Sequence, residues 1–190
     1  MDKDGLRQTL RAARKAHVAA LPDAVRALMF SRPPSPVTAA MPEGATIGLY
    51  AAASAEAPAA GYARWFYEAG HRVALPWFAD RGAGMQFREW GNPFLEEGLV
   101  KGPFGIQQPE DGSPLLTPDL LFVPLLGFTA DGERLGQGAG HYDRWLAAHP
   151  GTRTIGLAWD CQLLSALPTE AHDMPLDMIV TPTRVYGGAA

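Results

Sequence analysis

Between Arg134 and Arg144 the chain reads Arg-Leu-Gly-Gln-Gly-Ala-Gly-His-Tyr-Asp-Arg. Gly136, Gly138 and Gly140 alternate over five positions. Glycine tolerates positive φ and lets the backbone come close to a ligand. Successive N–H groups turned into one concavity, followed by a helix N-terminus, make an anion site. Arg134 and Arg144 bracket the loop with positive charge, and Asp143 offers a carboxylate to a metal ion. The residue types suit phosphate binding, with Arg134 and Asp143 expected on a surface loop. A ligand-free tight turn is the competing reading, and an Asp in a helix's first turn also serves the helix dipole.

The commoner nucleotide motifs fail on spacing. A Rossmann turn needs Gly-x-Gly-x-x-Gly, yet counting from Gly136 the third glycine falls on His141, and from Gly138 it falls on Asp143. No Gly-Lys-Ser/Thr follows, which excludes a P-loop. The loop has no lysine, so phosphate charge must be met by Arg134 and by cations from elsewhere. Lys3, Arg7, Arg11 and Arg14 recur at helical spacing and form a basic face that is either solvated or paired with an anion. Mg²⁺ carried by a nucleotide takes one or two carboxylates, and Asp143 and Asp177 are the candidates. His17, His71, His141, His149 and His172 show no zinc spacing. Gly-x-Ser-x-Gly is absent, so no nucleophile elbow is present.

The elements that must position these groups follow from periodicity. Residues 2–30 read as helix with a break at Pro22-Asp23, and Leu6, Leu10, Ala13 and His17 share one face. Pro33, Pro34, Pro36 and Pro42 make 31–44 an extended connector. Strands are expected at 46–50, at 72–75 ending before Pro76, at 85–90, 119–123, 152–158 and 178–180. Helices are expected at 57–69, after the glycine loop, and briefly at 161–167. Residues 91–118 read mostly as loop. Strands alternating with helices predict an α/β fold with a largely parallel central sheet. The whole chain reads as one domain, with N-terminal helices over 1–30, the connector over 31–44 and the α/β core over 45–186.

Bulk properties narrow the class. A chain of 190 residues, 47% hydrophobic and 19% charged, supports one sizeable core. A net charge of −4 argues against nucleic acid or membrane surfaces as partners, and an RNA-associated domain would rest on the basic N-terminal face alone. Cys161 is the single cysteine, which suits a reducing compartment; it is expected as a buried small residue. The polar start gives no secretory signal, and no run reaches the ~20 apolar residues of a membrane helix. A cytoplasmic monomer is the expectation.

Several motifs together resemble the 5-formyltetrahydrofolate cyclo-ligase family, also called 5,10-methenyltetrahydrofolate synthetases. Arg134 to Asp143 matches Arg-Leu-Gly-x-Gly-x-Gly-x-Tyr-Asp in full, and Lys3-Asp4-Gly5-Leu6-Arg7 matches an N-terminal Lys-x-x-Leu-Arg. Tyr50 with Glu56, Phe104-Gly105-Ile106 with Pro109, and the run from Pro168 through His172-Asp173 and Asp177 to Arg184 follow in order. The resemblance implies an ATP- and Mg²⁺-dependent ring closure of 5-formyltetrahydrofolate. It implies that Lys3, Asp4, Gly5, Leu6, Arg7, Arg134, Leu135, Gly136, Gln137, Gly138, Ala139, Gly140, His141 and Tyr142 bind ATP. It further implies that Arg7, Ala51, Glu56, Phe104 and Tyr142 meet the folate, that Arg134 and Tyr142 are catalytic, and that Asp143 and Asp177 hold Mg²⁺. His141 stands where the family often has Tyr, and Gly127-Phe128-Thr129-Ala130-Asp131 replaces an Ala-Phe-Asp turn. A folate- or nucleotide-binding protein without turnover is the alternative.

Overall fold

Leu120, Leu121, Phe122 and Val123 are apolar in both registers of the pleat, so neither face of this strand suits water. The computed structural model describes residues 2–39, 41–170 and 173–187, leaving His172 outside the described residues. It buries all four side chains at the centre of an eight-stranded sheet.

In chain order the elements are α1 (Lys3–Ala20), α2 (Asp23–Leu28), α3 (Ser35–Ala39), β1 (Thr46–Gly48), α4 (Ala60–Glu68), β2 (Arg72–Trp77) and β3 (Gln86–Glu89). Next come β4 (Leu99–Lys101), β5 (Gln107–Pro109), β6 (Leu115–Leu116), β7 (Leu120–Pro124), β8 (Gly127–Phe128) and β9 (Arg134–Leu135). The chain closes with α5 (His141–Ala148), β10 (Arg153–Leu157), a 3-10 turn at Asp160–Gln162, β11 (Met178–Val180) and β12 (Val185–Gly187).

The sheet order is β12-β11-β10-β7-β1-β2-β3-β6. Its five central strands run parallel, and antiparallel pairs finish both edges. The α/β class with a largely parallel sheet is therefore the observed one. Alternation along β7 divides the core. Leu120 and Phe122 pack with Tyr62 and Phe66 of α4, while Leu121 and Val123 pack with Trp145 and Leu146 of α5. α1 lies over a smaller cluster of Leu10, Leu126 and Leu135. No described helix is long and apolar enough to cross a membrane.

Several local expectations need correction. β2 continues through Pro76 to Trp77, because Pro76 lies beyond the last β1 pair, Gly48 with Ala74, where the parallel ladder has ended. The proline-rich connector contains α3, since Pro34 and Pro36 fall where an N-terminal turn has no need of their N–H groups. Residues 91–118 hold the β4–β5 hairpin and edge strand β6. The buried stripe of α1 is Leu10, Arg14 and Val18, rotated from the expected face: Ala13 is exposed and a charged residue is inside. Cys161 is exposed on the 3-10 turn.

Candidate active site

The parallel strands β1, β2 and β7 end together, and beyond Tyr50, Pro76 and Pro124 the sheet opens into a cavity of about 770 Å³. The C-terminal edge is where a parallel sheet leaves room for ligands, and the volume is that of a substrate cleft. The start of α1, the glycine loop, the tip of the β4–β5 hairpin at Phe104 and Ile106, and the acids Glu170 and Asp173 wall the remaining sides.

The glycine loop is held by three arginines. Arg7 Nε donates to the Gly136 carbonyl at 3.1 Å, Arg11 Nη2 to that of Gln137 at 3.1 Å, and Arg144 Nη2 to that of Ala139 at 2.8 Å. In a trans peptide the N–H points opposite to the C=O. Holding these carbonyls therefore turns the N–H groups of Gln137, Gly138 and Gly140 away from the arginines, as a phosphate cradle requires. Gly138 and Gly140 have φ of +108° and +67°, and Gly140 caps α5 from the left-handed region. Other residues are strained there.

Arg134 does not lie on the surface as expected. Its side chain is 4% exposed and projects from β9, which pairs with β8 beneath α1. Its Nη2 donates to Asp143 Oδ1 at 2.5 Å, while its Nε is buried without a hydrogen bond among the described residues. Arg134 also lines the cavity, so the guanidinium that pairs with Asp143 stands at the cleft wall, where it can bond an anion.

Glu56 lines the same cavity. Its Oε2 accepts from the Ala53 N–H at 2.8 Å, and its Oε1 from Gln137 Nε2 at 3.1 Å. Arg14 approaches the same Oε1 to 3.9 Å and donates to the Leu125 carbonyl at 3.2 Å. Burial pulls the Arg14 guanidinium below its usual range, and the charge of Glu56 opposes that shift. Tyr50 donates to the Ala57 carbonyl at 2.6 Å. Burial, reinforced by the charge of Glu56, pushes both Tyr50 and Tyr142 far above the usual phenol range. Both phenols are therefore neutral donors.

His141 meets Phe78 and Phe104 at ring separations of 4.8 and 5.2 Å, and these two rings lie 4.8 Å apart. The trio forms an aromatic wall. Burial, then the charge of Arg144, lowers the His141 pKa. Arg144 Nη2 lies 3.2 Å from Nδ1. A guanidinium only donates, so Nδ1 is the acceptor and the neutral ring carries its proton on Nε2.

Of the residues expected at the site, Lys3, Asp4, Arg7, Ala51, Glu56, Phe104 and all of 134–143 line the one cavity. Gly5 and Leu6 do not: Gly5 N–H is capped by Asp2, and Leu6 packs against the Leu10 cluster. Lys3 is already paired, to Glu170 at 3.0 Å and Asp173 at 2.7 Å. Burial works against its charge, but hydrogen bonds to Asp173 and Glu170 outweigh it and hold Lys3 above its usual range.

Asp177 must be reassigned. It precedes β11 and accepts from Thr154 N–H at 2.7 Å and Thr154 Oγ1 at 2.9 Å. Thr154 is near the start of β10, so this carboxylate lies at the N-terminal edge of the parallel strands, away from Asp143. Among the described residues no three His, Cys, Asp or Glu side chains gather as a metal cage. Of the two carboxylates expected to hold Mg²⁺, Asp143 lines the cleft and fits an ion that arrives on phosphates and keeps several waters; Asp177 does not fit.

Arg11, Arg14 and Phe78 were not singled out as site residues by sequence. The basic periodicity of α1 was the available signal for the arginines, but it named no partner. Phe78 carried no signal.

Comparisons with known proteins bear on the family and the fold. Residues 1–182 match the 5-formyltetrahydrofolate cyclo-ligase family. The chain belongs to that family. A 5-formyltetrahydrofolate cyclo-ligase of Escherichia coli is 40% identical over 126 residues, covering 63% of this chain and 68% of that protein. The Mycolicibacterium smegmatis protein of the same name is 31% identical over 147 residues, covering 74% and 75%. The solution structure of Aquifex aeolicus 5,10-methenyltetrahydrofolate synthetase superposes with a TM-score of 0.77 at 25% identity, covering 100% of this chain and 94% of that one. The cyclo-ligase fold thus extends across the described chain.

Proposed function

We propose that the 770 Å³ cleft is the active site in which this ligase converts 5-formyltetrahydrofolate to 5,10-methenyltetrahydrofolate, consuming ATP. The observation that carries the assignment is the pairing of an arginine-held glycine loop with a carboxylate, Glu56, on the walls of one cavity. Phosphates suit the first and the donor edge of a pterin suits the second. Membership of a ligase family argues against a binding protein without turnover.

In this scheme the loop N–H groups, Arg7 and Arg134 hold the triphosphate, and Lys3 joins them by leaving Glu170 and Asp173 for phosphate. Asp143 would hold Mg²⁺, which supplies charge neutralisation on the phosphates. Glu56 orients the pterin, and the wall of Phe78, Phe104 and His141 flanks the rest of the folate. The formyl oxygen attacks the γ-phosphorus and ADP leaves, giving an iminium phosphate. Nitrogen 10 then attacks that carbon and loses its proton, and the C–O bond breaks to release phosphate. Phosphorylation turns an amide-like oxygen into a leaving group. No enzyme nucleophile is required, so positioning and charge stabilisation carry the catalysis. Tyr142, neutral and beside Arg134, donates toward the transferring group.

Purified protein given 5-formyltetrahydrofolate, ATP and Mg²⁺ is expected to build the near-ultraviolet absorbance of the methenyl product, with one ADP formed per product. Absence of product at micromolar enzyme would refute the proposal.

A further inference from the structure

Gln137 touches both halves of the cleft. Its backbone lies in the glycine loop between Gly136 and Gly138, and its side-chain nitrogen donates to Glu56 Oε1 at 3.1 Å. Its side-chain oxygen and its backbone carbonyl both accept from Arg11, at 3.3 and 3.1 Å. We infer that Gln137 couples the two substrate sites, so that the nucleotide and the folate each strengthen the binding of the other. The inference rests on the assignment of the loop to ATP and of Glu56 to the pterin.

The chemistry of the carboxylate explains why one donor matters. An ionised carboxylate offers about four lone-pair positions. At Glu56 the Ala53 N–H takes one on Oε2, and Gln137 takes one on Oε1. One position per oxygen remains, matching a two-donor pterin edge in the orientation that Ala53 and Gln137 set between them. Arg14 stands 3.9 Å from Oε1, beyond hydrogen-bond range, so it supplies charge without setting that angle.

The other end of the link is the loop. Gln137 is exposed, with a side chain that is free to change rotamer unless its anchors hold it. Phosphates bound by the loop N–H groups would still the backbone of Gln137, and with it the donor to Glu56. A pterin on Glu56 would still the same side chain from the opposite direction. Whichever substrate binds first leaves less ordering for the second, and the coupling must be equal in both directions.

The test is a set of calorimetric titrations on the full-length protein with 5-formyltetrahydrofolate and the Mg²⁺ complex of the β,γ-imido analogue of ATP, which blocks turnover. The ratio of folate dissociation constants without and with the analogue is the coupling factor. It is expected at about fivefold or more in the unmodified protein and within about twofold of unity in Gln137→Leu. Arg11→Met removes both anchors of Gln137 without touching either ligand and is expected to lower the factor in the same direction. Taking the ratio within each variant cancels any change in one affinity alone. A factor of unity in the unmodified protein, or an undiminished factor in both variants, overturns the inference. If the unmodified protein binds neither compound, the assignment of the cleft fails first, which is distinguishable because no heat is seen in either titration.

Discussion

Replacing Arg134 by Met should separate catalysis from stability. The side chain is 4% exposed, pairs with Asp143 at 2.5 Å, and leaves Nε buried without a partner among the described residues. Removing the guanidinium loses the ion pair, but Asp143 is 21% exposed and can rehydrate, so the loss is about 1–2 kcal/mol rather than the full penalty of a buried unpaired charge. Removing the orphaned Nε–H returns about 1–3 kcal/mol. These terms nearly cancel, and Met preserves most of the volume. The melting temperature of a 190-residue chain should therefore move by no more than about 4 °C. Activity should respond very differently. A charge-assisted bond to phosphate contributes about 1.5–3 kcal/mol, which corresponds to a loss of about 10- to 150-fold in kcat/KM. Arg134→Ala also strips two buried methylenes, Cγ and Cδ, at about 0.8 kcal/mol each, so it should melt about 3–6 °C lower with a similar activity loss. Differential scanning fluorimetry beside the methenyl absorbance assay reads both quantities. If Arg134→Met melts as low as Arg134→Ala and its residual activity tracks the folded fraction, Arg134 is a structural residue and the reasoning fails.

Asp143→Asn should raise the Mg²⁺ concentration for half-maximal rate at least about tenfold. Asp177→Ala should leave that requirement unchanged while losing two bonds from Thr154, at about 1–3 kcal/mol of stability; a shifted Mg²⁺ requirement would return Asp177 to the metal. Gly138→Ala places a Cβ at φ +108°, 3.4 Å from the Arg7 guanidinium, and should raise the KM for ATP more than that for folate; equal rises would remove the loop from the nucleotide site. Glu89 accepts two bonds from Arg72 at 3.0 Å each, which hold its carboxyl below the ordinary glutamate range. A lowered folded pKa stabilises above the ordinary value of 4.5 and the benefit is lost as pH falls through the folded value. Because the Arg72 side chain is 50% exposed, the effect should be under about 1 kcal/mol. Glu89→Gln should remove that part of the acid destabilisation, seen by comparing melts at about pH 6 and about pH 3.

Much of the fold was legible because its signals are local. The apolar run of β7, the glycine loop and the break at Pro22 act through neighbours in sequence, and each appears close to its expected place. The β4–β5 hairpin was not legible because its strands are three residues each and its register depends on pairing across the turn. The inward turn of Arg14 was hidden for a similar reason. A charged residue is buried only where a remote partner meets it, and here the Leu125 carbonyl and Glu56 do so.

Asp177 marks the same boundary from the other side. Its order in the chain resembled a family ending, yet the strand that follows it carries it to the edge opposite the cleft, where Thr154 uses it. What the sequence alone determined was the α/β class and a set of phosphate-suited groups, because residue types and short spacings fix chemistry and local geometry; the family, and the pterin role it implied for Glu56, came from the resemblance of its motifs. What the tertiary structure decided was which groups share a cavity, which cations are already paired, and that Gln137 joins the loop to Glu56. Those are distances between residues far apart in the chain, 81 positions in this last case and 170 for Lys3 and Asp173, and only the packing of α1 and the sheet sets them.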